Sequence, residues 1–432
     1  MTSILICSTP VHGHVTPLLA VSRHLASTGH RVRFMTGQRY AAAVQHTGAE
    51  FVPLPEEADY DDTDMNVAFP GRVGKKGVAG IRWDVSNIFL KPAPAQIRAV
   101  DAAIAHEAVE VILIENMFIG AVGLLSRPRA ERPAIVSLGI IPLGVESADT
   151  APFGLGVLPR PGAIGRMRNS ALGVLTKKVI FGGVQRQAER IMLEATGKPL
   201  DGFFMAGASR ADAIVQFTVP EFEYPRRDLP DTVHFVGPVS RVTKSSGELP
   251  EWWSELDGSR PVIHVSQGTV ANTDYDDLII PTMTALDEED ALVIVTTGGR
   301  PLSTLPSPLP ANVRAAEYVP HDRLLPLTDV YVTNGGYGGV HYALEHGVPL
   351  VVAGMTEDKA EVAARVQWAG VGVNLRTNVP TPDAVGAAVR RVLADPGFAE
   401  RSRAIGASIR ASSGLSGLEA AIESLSREPA QD

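Results

Sequence analysis

Apolar and polar positions along this chain alternate between two periods. Ile4-Leu-Ile-Cys7 is a short apolar run that reads as a buried strand, and beyond a loop the apolar residues recur at helical spacing through Leu18, Leu19, Val21 and Leu25. Pro17 suits the first turn of that helix and Gly29 its end. Further strands are expected at Arg31–Thr36, Val109–Phe118, Pro261–Val270 and Ala291–Gly299, and Thr328–Pro349 reads as a strand running into a glycine-rich turn and a helix. Strands separated by helix-length intervals imply parallel α/β sheets. The periodicity stops at Gly237–Pro250, where Pro, Ser and Gly accumulate. This divides the chain into a domain over 1–236, a linker over 237–250, a second domain over 251–410 and a terminal helix over 411–432.

Size and charge narrow the class. At 432 residues, 45% hydrophobic and 20% charged, the chain is globular and too long for one compact core, so two Rossmann-like domains facing a cleft are the expected architecture. A net charge of −9 without an extended basic face excludes nucleic acid as a partner. No run of 18 apolar residues occurs and the amino terminus is already a strand, which predicts a soluble cytoplasmic protein with no transmembrane segment. Cys7 stands alone, so neither an intrachain disulfide nor a cysteine-built metal site can form. The acidic loop Glu56–Asp64 reads as solvated surface and not as a cation site.

Two loops carry chemistry. Gly335, Gly336, Gly338 and Gly339 let backbone approach an anion closely, and the free N–H groups of the following helix face it with the positive end of the helix dipole. That is a diphosphate site made from main chain. His14 lies at the carboxyl end of the first strand, where open α/β sheets place ligands.

Tyr318-Val-Pro-His321, Asn334-Gly-Gly-Tyr-Gly-Gly339, Gly347-Val-Pro349, Asp358-Lys359 and Gly13-His-Val-Thr-Pro17 together resemble the signature of the GT-B glycosyltransferases, nucleotide-sugar-dependent enzymes that act on small apolar acceptors. The resemblance is strongest over 4–34 and 312–375. It implies that Tyr318 stacks on the nucleotide base and that the backbone of Val319 bonds the base edge. His321 stands where the family has Gln. Asn334 replaces a phosphate-binding His, and its amide can still donate. Gly339 replaces Ser/Thr, leaving an N–H, and Tyr342 stands where many relatives carry a ribose-binding Glu. Asp358 and Lys359 occupy the positions that bind sugar hydroxyls, and Gln267-Gly268-Thr269 resembles the turn that contacts the distal phosphate or sugar. His14 matches the general base and Glu115 the carboxylate that holds it, fixing the tautomer and stabilising the imidazolium. His12 shapes the loop or touches the acceptor. Phe69, Phe89, Met117, Phe118, Phe153 and Leu155 are candidates to line the acceptor pocket, the last two from an aperiodic Gly/Pro segment. The terminal helix is expected to cross back to the first domain.

The activity so implied is an inverting, metal-independent transfer of a sugar, glucose foremost, from a nucleoside diphosphate to a hydroxyl of a hydrophobic natural product such as a macrolide or other polyketide antibiotic. UDP-glucose would be a co-substrate and no cofactor is required; the chain would be a monomer or homodimer. Two alternatives are a nucleotide-sugar epimerase of similar fold and a catalytically silent accessory binding protein. A nicotinamide-dependent oxidoreductase fits worse, since the first loop lacks Gly-x-Gly-x-x-Gly.

Overall fold

The computed structural model describes residues 1–239, 248–268, 272 and 274–427. Two parallel sheets, each covered by helices, form its α/β domains. The first has seven strands in the order β3-β2-β1-β4-β5-β6-β7, namely β1 (Ser3–Cys7), β2 (Arg31–Thr36), β3 (Glu50–Pro53), β4 (Val111–Glu115), β5 (Ala134–Gly139), β6 (Ala213–Gln216) and β7 (Val233–Phe235). The second has six, ordered β10-β9-β8-β11-β12-β13: β8 (Val262–Ser266), β9 (Leu292–Thr296), β10 (Val313–Ala316), β11 (Val330–Thr333), β12 (Leu350–Val352) and β13 (Gly372–Asn374). The central strands are buried on both faces, which is why they read as continuous Ile/Leu/Val runs instead of alternating ones.

This strand order decides where a ligand can sit. Strand order reverses between β1 and β4 in the first sheet and between β8 and β11 in the second, opening a crevice beyond the carboxyl ends at each switch point. His14 follows β1, Glu115 ends β4, Gln267 follows β8 and Asn334 follows β11. All four therefore stand at the two switch points.

Local boundaries depart from the sequence expectation for identifiable reasons. The first helix spans His12–Ser27, so Gly13 and His14 lie in its first turn and Pro17 falls inside it, where it has no N–H for the Gly13 carbonyl. The glycine-rich turn contracts to Asn334–Gly336, because the helix Tyr337–Glu345 already includes Gly338 and Gly339. Of the expected linker, 240–247 lies outside the described residues, as does 428–432 of the terminal segment. The terminal helix, Leu415–Arg427, packs on the first sheet, with Leu418 and Ile422 fully buried among Ile4, Leu18 and Val136.

Between the sheets the contact is polar. Arg365 donates to Glu223 at 2.7 Å and to Glu361 at 2.8 Å, all three side chains being buried. Glu361 also accepts from the backbone N–H groups of Gly154 and Gly156, each at 2.9 Å. Gln216 donates to the Tyr337 hydroxyl at 3.1 Å. His341 donates through Nδ1 to the Tyr337 carbonyl, which leaves Nε2 to accept from the Thr218 hydroxyl at 2.6 Å.

Candidate active site

His14 is held by a carboxylate that has no freedom of its own. Nδ1 lies 2.9 Å from Glu115 Oε2, which also accepts from the Met117 N–H at 2.6 Å. Glu115 Oε1 accepts from the Thr9 hydroxyl at 2.7 Å and the Thr9 N–H at 3.2 Å. With Nδ1–H committed to Glu115, the Nε2 lone pair is the one directed at a reacting proton. Burial works against a charge on the ring, yet the Glu115 charge and hydrogen bond outweigh it, with Asp358 and Glu357 adding, so the His14 pKa lies above the ordinary value. Burial likewise opposes ionisation of Glu115, and the neighbouring imidazole and donated hydrogen bonds overcome it, holding its carboxyl below the usual range. The pair is thus an ionised, fully buried carboxylate orienting a part-buried imidazole. Thr9, which completes this cradle, has no sequence motif of its own; only its place two residues beyond β1 could have suggested it.

Asp358 faces this pair from the second domain. Burial, then the Glu357 charge, push its carboxyl up to about 6, against the pull of Lys359 and His14. Lys359 is buried and ion-paired to Glu357, which adopts left-handed backbone, φ 56°, a conformation costly to a non-glycine residue and concentrated at sites. The Lys359 side chain also adjoins the glycine turn, its Cβ only 3.8 Å from where a Gly335 side chain would begin. Through this run of contacts His14, Asp358, Lys359 and the Asn334–Gly339 segment share one cleft.

The glycine-rich segment Asn334–Gly339 has the geometry its glycines allow. Gly335 has φ 86° and a side chain there would strike Val352 at 2.8 Å, so this glycine serves the turn. Gly338 is exposed, and a β-carbon at this position would meet nothing within 4 Å, while one at Gly339 would meet only the Tyr331 ring edge, its hydroxyl at 3.4 Å. These two present the first-turn N–H groups to open space. The Asn334 amide donates to the Gln267 carbonyl, tying the two strand-end loops together. Gln267 itself is buried, its amide donating to the Asp274 carbonyl at 2.7 Å and accepting from Ile279 N–H at 3.0 Å. Its side chain thus anchors the next helix and is turned away from a donor; Gly268, with φ 75°, forms the turn, and Thr269 lies outside the described residues.

Tyr318 is 65% exposed and its hydroxyl donates to the Gly298 carbonyl at 3.0 Å, presenting a ring face at the cleft edge, while Val319 beneath it is buried. His321 packs instead into an aromatic cluster, 5.6 Å from His264, 6.4 Å from Tyr331 and 5.7 Å from Tyr342, and burial lowers its pKa. Tyr342 belongs to the same packing.

Of the residues expected to line an acceptor pocket, Phe89 lies 6.0 Å from the His14 ring. Met117 and Phe153 line a cavity of about 580 Å³ that runs from the Glu115 loop toward the domain contact and is also walled by Leu143, Thr176 and Tyr224. Leu155 sits on the strap that Glu361 clamps at Gly154 and Gly156. Phe69 packs edge-on against Tyr60, 4.8 Å away, with Trp83 beyond. Phe118 is a correction: it is 1% exposed within the core cluster of the first sheet and cannot touch a ligand. His12 holds the loop through its N–H, which donates to Asp62 at 2.6 Å, and its ring stays 3.5 Å from Thr16. Among the described residues one group, His30, Glu419 and Glu423, has metal-ligand spacing, and it lies at the opposite end of the sheet from His14.

Comparison with known proteins shows the family. Residues 280–413 match the family described as erythromycin biosynthesis protein CIII-like, C-terminal domain. A protein of Lentzea aerocolonigenes named 4′-demethylrebeccamycin synthase is 41% identical over 397 residues, 91% of this chain and 92% of its own. The chain is a GT-B glycosyltransferase. UDP-glucosyltransferase B1 of Starmerella bombicola is 33% identical over 98% of each chain. The crystal structure of the kitacinnamycin glycosyltransferase shares the fold of this enzyme, with a TM-score of 0.73 and 23% identity over 98% of this chain and 100% of that one. No helix among the described residues of the glycosyltransferase is long and apolar enough to cross a membrane.

Proposed function

We propose that this glycosyltransferase moves glucose from UDP-glucose to a hydroxyl of a hydrophobic natural product, with inversion at the anomeric carbon and without a metal ion. The observation that carries the reading is the His14–Glu115 pair, a part-buried imidazole held by a buried carboxylate and electrostatically coupled to Asp358 across the cleft. His14 Nε2 takes the hydroxyl proton as the acceptor oxygen bonds to the anomeric carbon. The bond from that carbon to the diphosphate oxygen breaks, and its electron pair leaves with UDP. Glu115 stabilises the imidazolium so formed. Charge developing on the leaving diphosphate is met by the N–H groups at Tyr337, Gly338 and Gly339, a preorganised bed that does the work a cation would otherwise do. The relatives' names support both partners, a glucosyl donor and an antibiotic-type acceptor.

Incubation with UDP- and TDP-glucose and a panel of polyketide and polycyclic acceptors, read by mass spectrometry, tests the proposal. A product with inverted anomeric configuration, formed equally in the presence of a chelator, is the expected result. Retained configuration, loss of transfer on chelation, or isomerisation of the donor alone would each overturn it.

A further inference from the structure

Helix Gly162–Val174 and the wider-pitched turns that continue it over Leu175–Ile180 are amphipathic in the reverse of the usual sense. Asn169, Ser170, Thr176 and Lys177 point their polar side inward, onto the 580 Å³ cavity. The apolar side chains Ile164, Met167, Leu175 and Val179 point out, 45–72% exposed, within one arc of a 3.6-residue helix. A second outward set, Val73, Val78 and Ile81, lies on the neighbouring helix Gly77–Asp84 and the turn before it. Arg82 of that helix reaches Gly183, at the start of the helix Gly182–Thr196 that follows Ile180, and Lys75, Arg82, Trp83 and Gly183 line one shallow groove there. Eight of the eighteen large apolar side chains exposed among the described residues fall in 73–81 and 164–179.

Charge identifies what covers this face. The chain as a whole carries −9, yet Arg160–Arg190 holds seven basic residues and one acidic, Arg166, Lys177 and Lys178 among the basic ones bordering the cavity, and Arg72–Arg82 holds four basic and no acidic. Asp84 and Glu146 neutralise only Arg72 and Lys177. A twofold contact with a second copy would set this basic face against itself. Apolar side chains interleaved with Lys and Arg along a helix lying in the surface suit an anionic lipid bilayer, the apolar ones entering the headgroup boundary and the cations meeting lipid phosphates.

We propose that this face docks the enzyme peripherally on an anionic membrane surface. Because the inner side of the same helix walls the cavity, docking would bring that cavity to the interface where an apolar acceptor concentrates; this last step rests on the proposed function and on the cavity holding the acceptor.

Co-sedimentation of the full chain with lipid vesicles, in the absence of donor and acceptor, tests docking independently of the reaction. Binding is expected to vesicles containing phosphatidylglycerol and not to phosphatidylcholine alone, and to weaken with salt. Met167→Glu with Val179→Glu, and separately Arg186→Glu with Arg190→Glu, should each lower partitioning by about tenfold or more. Both pairs should keep the melting temperature and calorimetric UDP affinity of the parent, which shows the fold intact. No binding to phosphatidylglycerol vesicles, or variants that bind as well as the parent, would overturn the proposal, and concentration-dependent dimers lost in the same variants would assign the face to a second copy.

Discussion

The role proposed for His14 as base is measurable, because two opposed effects set the pKa of its ring. Only the neutral ring can take a proton, so activity should rise with pH through a pKa above the ordinary histidine value of about 6.5. Glu115→Gln removes the charge that raises that pKa while the burial that lowers it remains. The acidic limb of the kcat profile should therefore move to lower pH as kcat itself falls by about 100-fold, and His14→Ala should cost about 100- to 10,000-fold. A limb that stays in place would separate Glu115 from the base. Tyr318 offers a second test, because its ring is exposed and oriented by one hydrogen bond. Tyr318→Ala should weaken UDP binding about tenfold, the scale of one base–aromatic stack, and Tyr318→Phe far less. Such residues are legible from sequence because strand ends and short motifs state their position. Gln267 and Phe118 are not. Their partners arrive from Asp274, Ile279 and the core of the first sheet, and neither spacing nor residue type reveals that a polar side chain is already spent or an aromatic one fully enclosed.

The glycines of the anion-binding element divide into two physical kinds that sequence shows as one run. Gly335 is required by its left-handed backbone and its contact with Val352, whereas Gly338 sits in a helical first turn with open space before it. In a helix a larger residue at Gly338 should stabilise the fold by about 0.5–1 kcal/mol through propensity alone. Gly338→Leu should thus leave the melting temperature unchanged or raised while weakening UDP affinity about tenfold or more, since its side chain fills the anion's space. Gly335→Leu should instead lower the melting temperature. Calorimetry and thermal denaturation on the two variants separate a glycine kept for ligand from one kept for the turn. The same element shows why boundaries are hard to read: Gly is a poor helix former, so Gly338 and Gly339 suggest a loop, and the helix starts earlier because tertiary packing of Tyr337 and His341 against Gln216 and Thr218 outweighs propensity.

At the scale of the whole molecule, two domains legible from alternating periods are joined by a contact that left little trace in the sequence. Net charge of −9 concealed both a local basic face and a buried ion-pair cluster, because a sum over the chain carries no positions. Arg365 of the second domain is 1% exposed and bridges Glu223 of the first and Glu361 beside it, while its guanidinium lies 4.3 Å from the Tyr224 ring centroid. Burial opposes the Glu223 charge, but Arg365 and Arg226 overcome it and hold that carboxyl below its ordinary value. A depressed carboxyl pKa contributes stability that is fully present above the unfolded value, about 4.3, and is lost as pH falls through the lower folded one. Acid should therefore loosen the domain contact before either sheet. Arg365→Met leaves Glu361 without its cation and Glu223 with Arg226 alone, which should destabilise the contact by about 3–5 kcal/mol at neutral pH. Replacing Glu361 by Gln in the same chain should restore part of that loss, since Glu223 keeps Arg226 while Glu361 is the carboxylate that loses its cation. Scattering should show an expanded radius of gyration for Arg365→Met at neutral pH, approached by the parent only in acid, with far-ultraviolet circular dichroism preserved in both. An Arg365→Met variant as compact and as stable as the parent would mean that the apolar packing of Tyr224 against Trp368, and not the ion pair, holds the cleft at its present width.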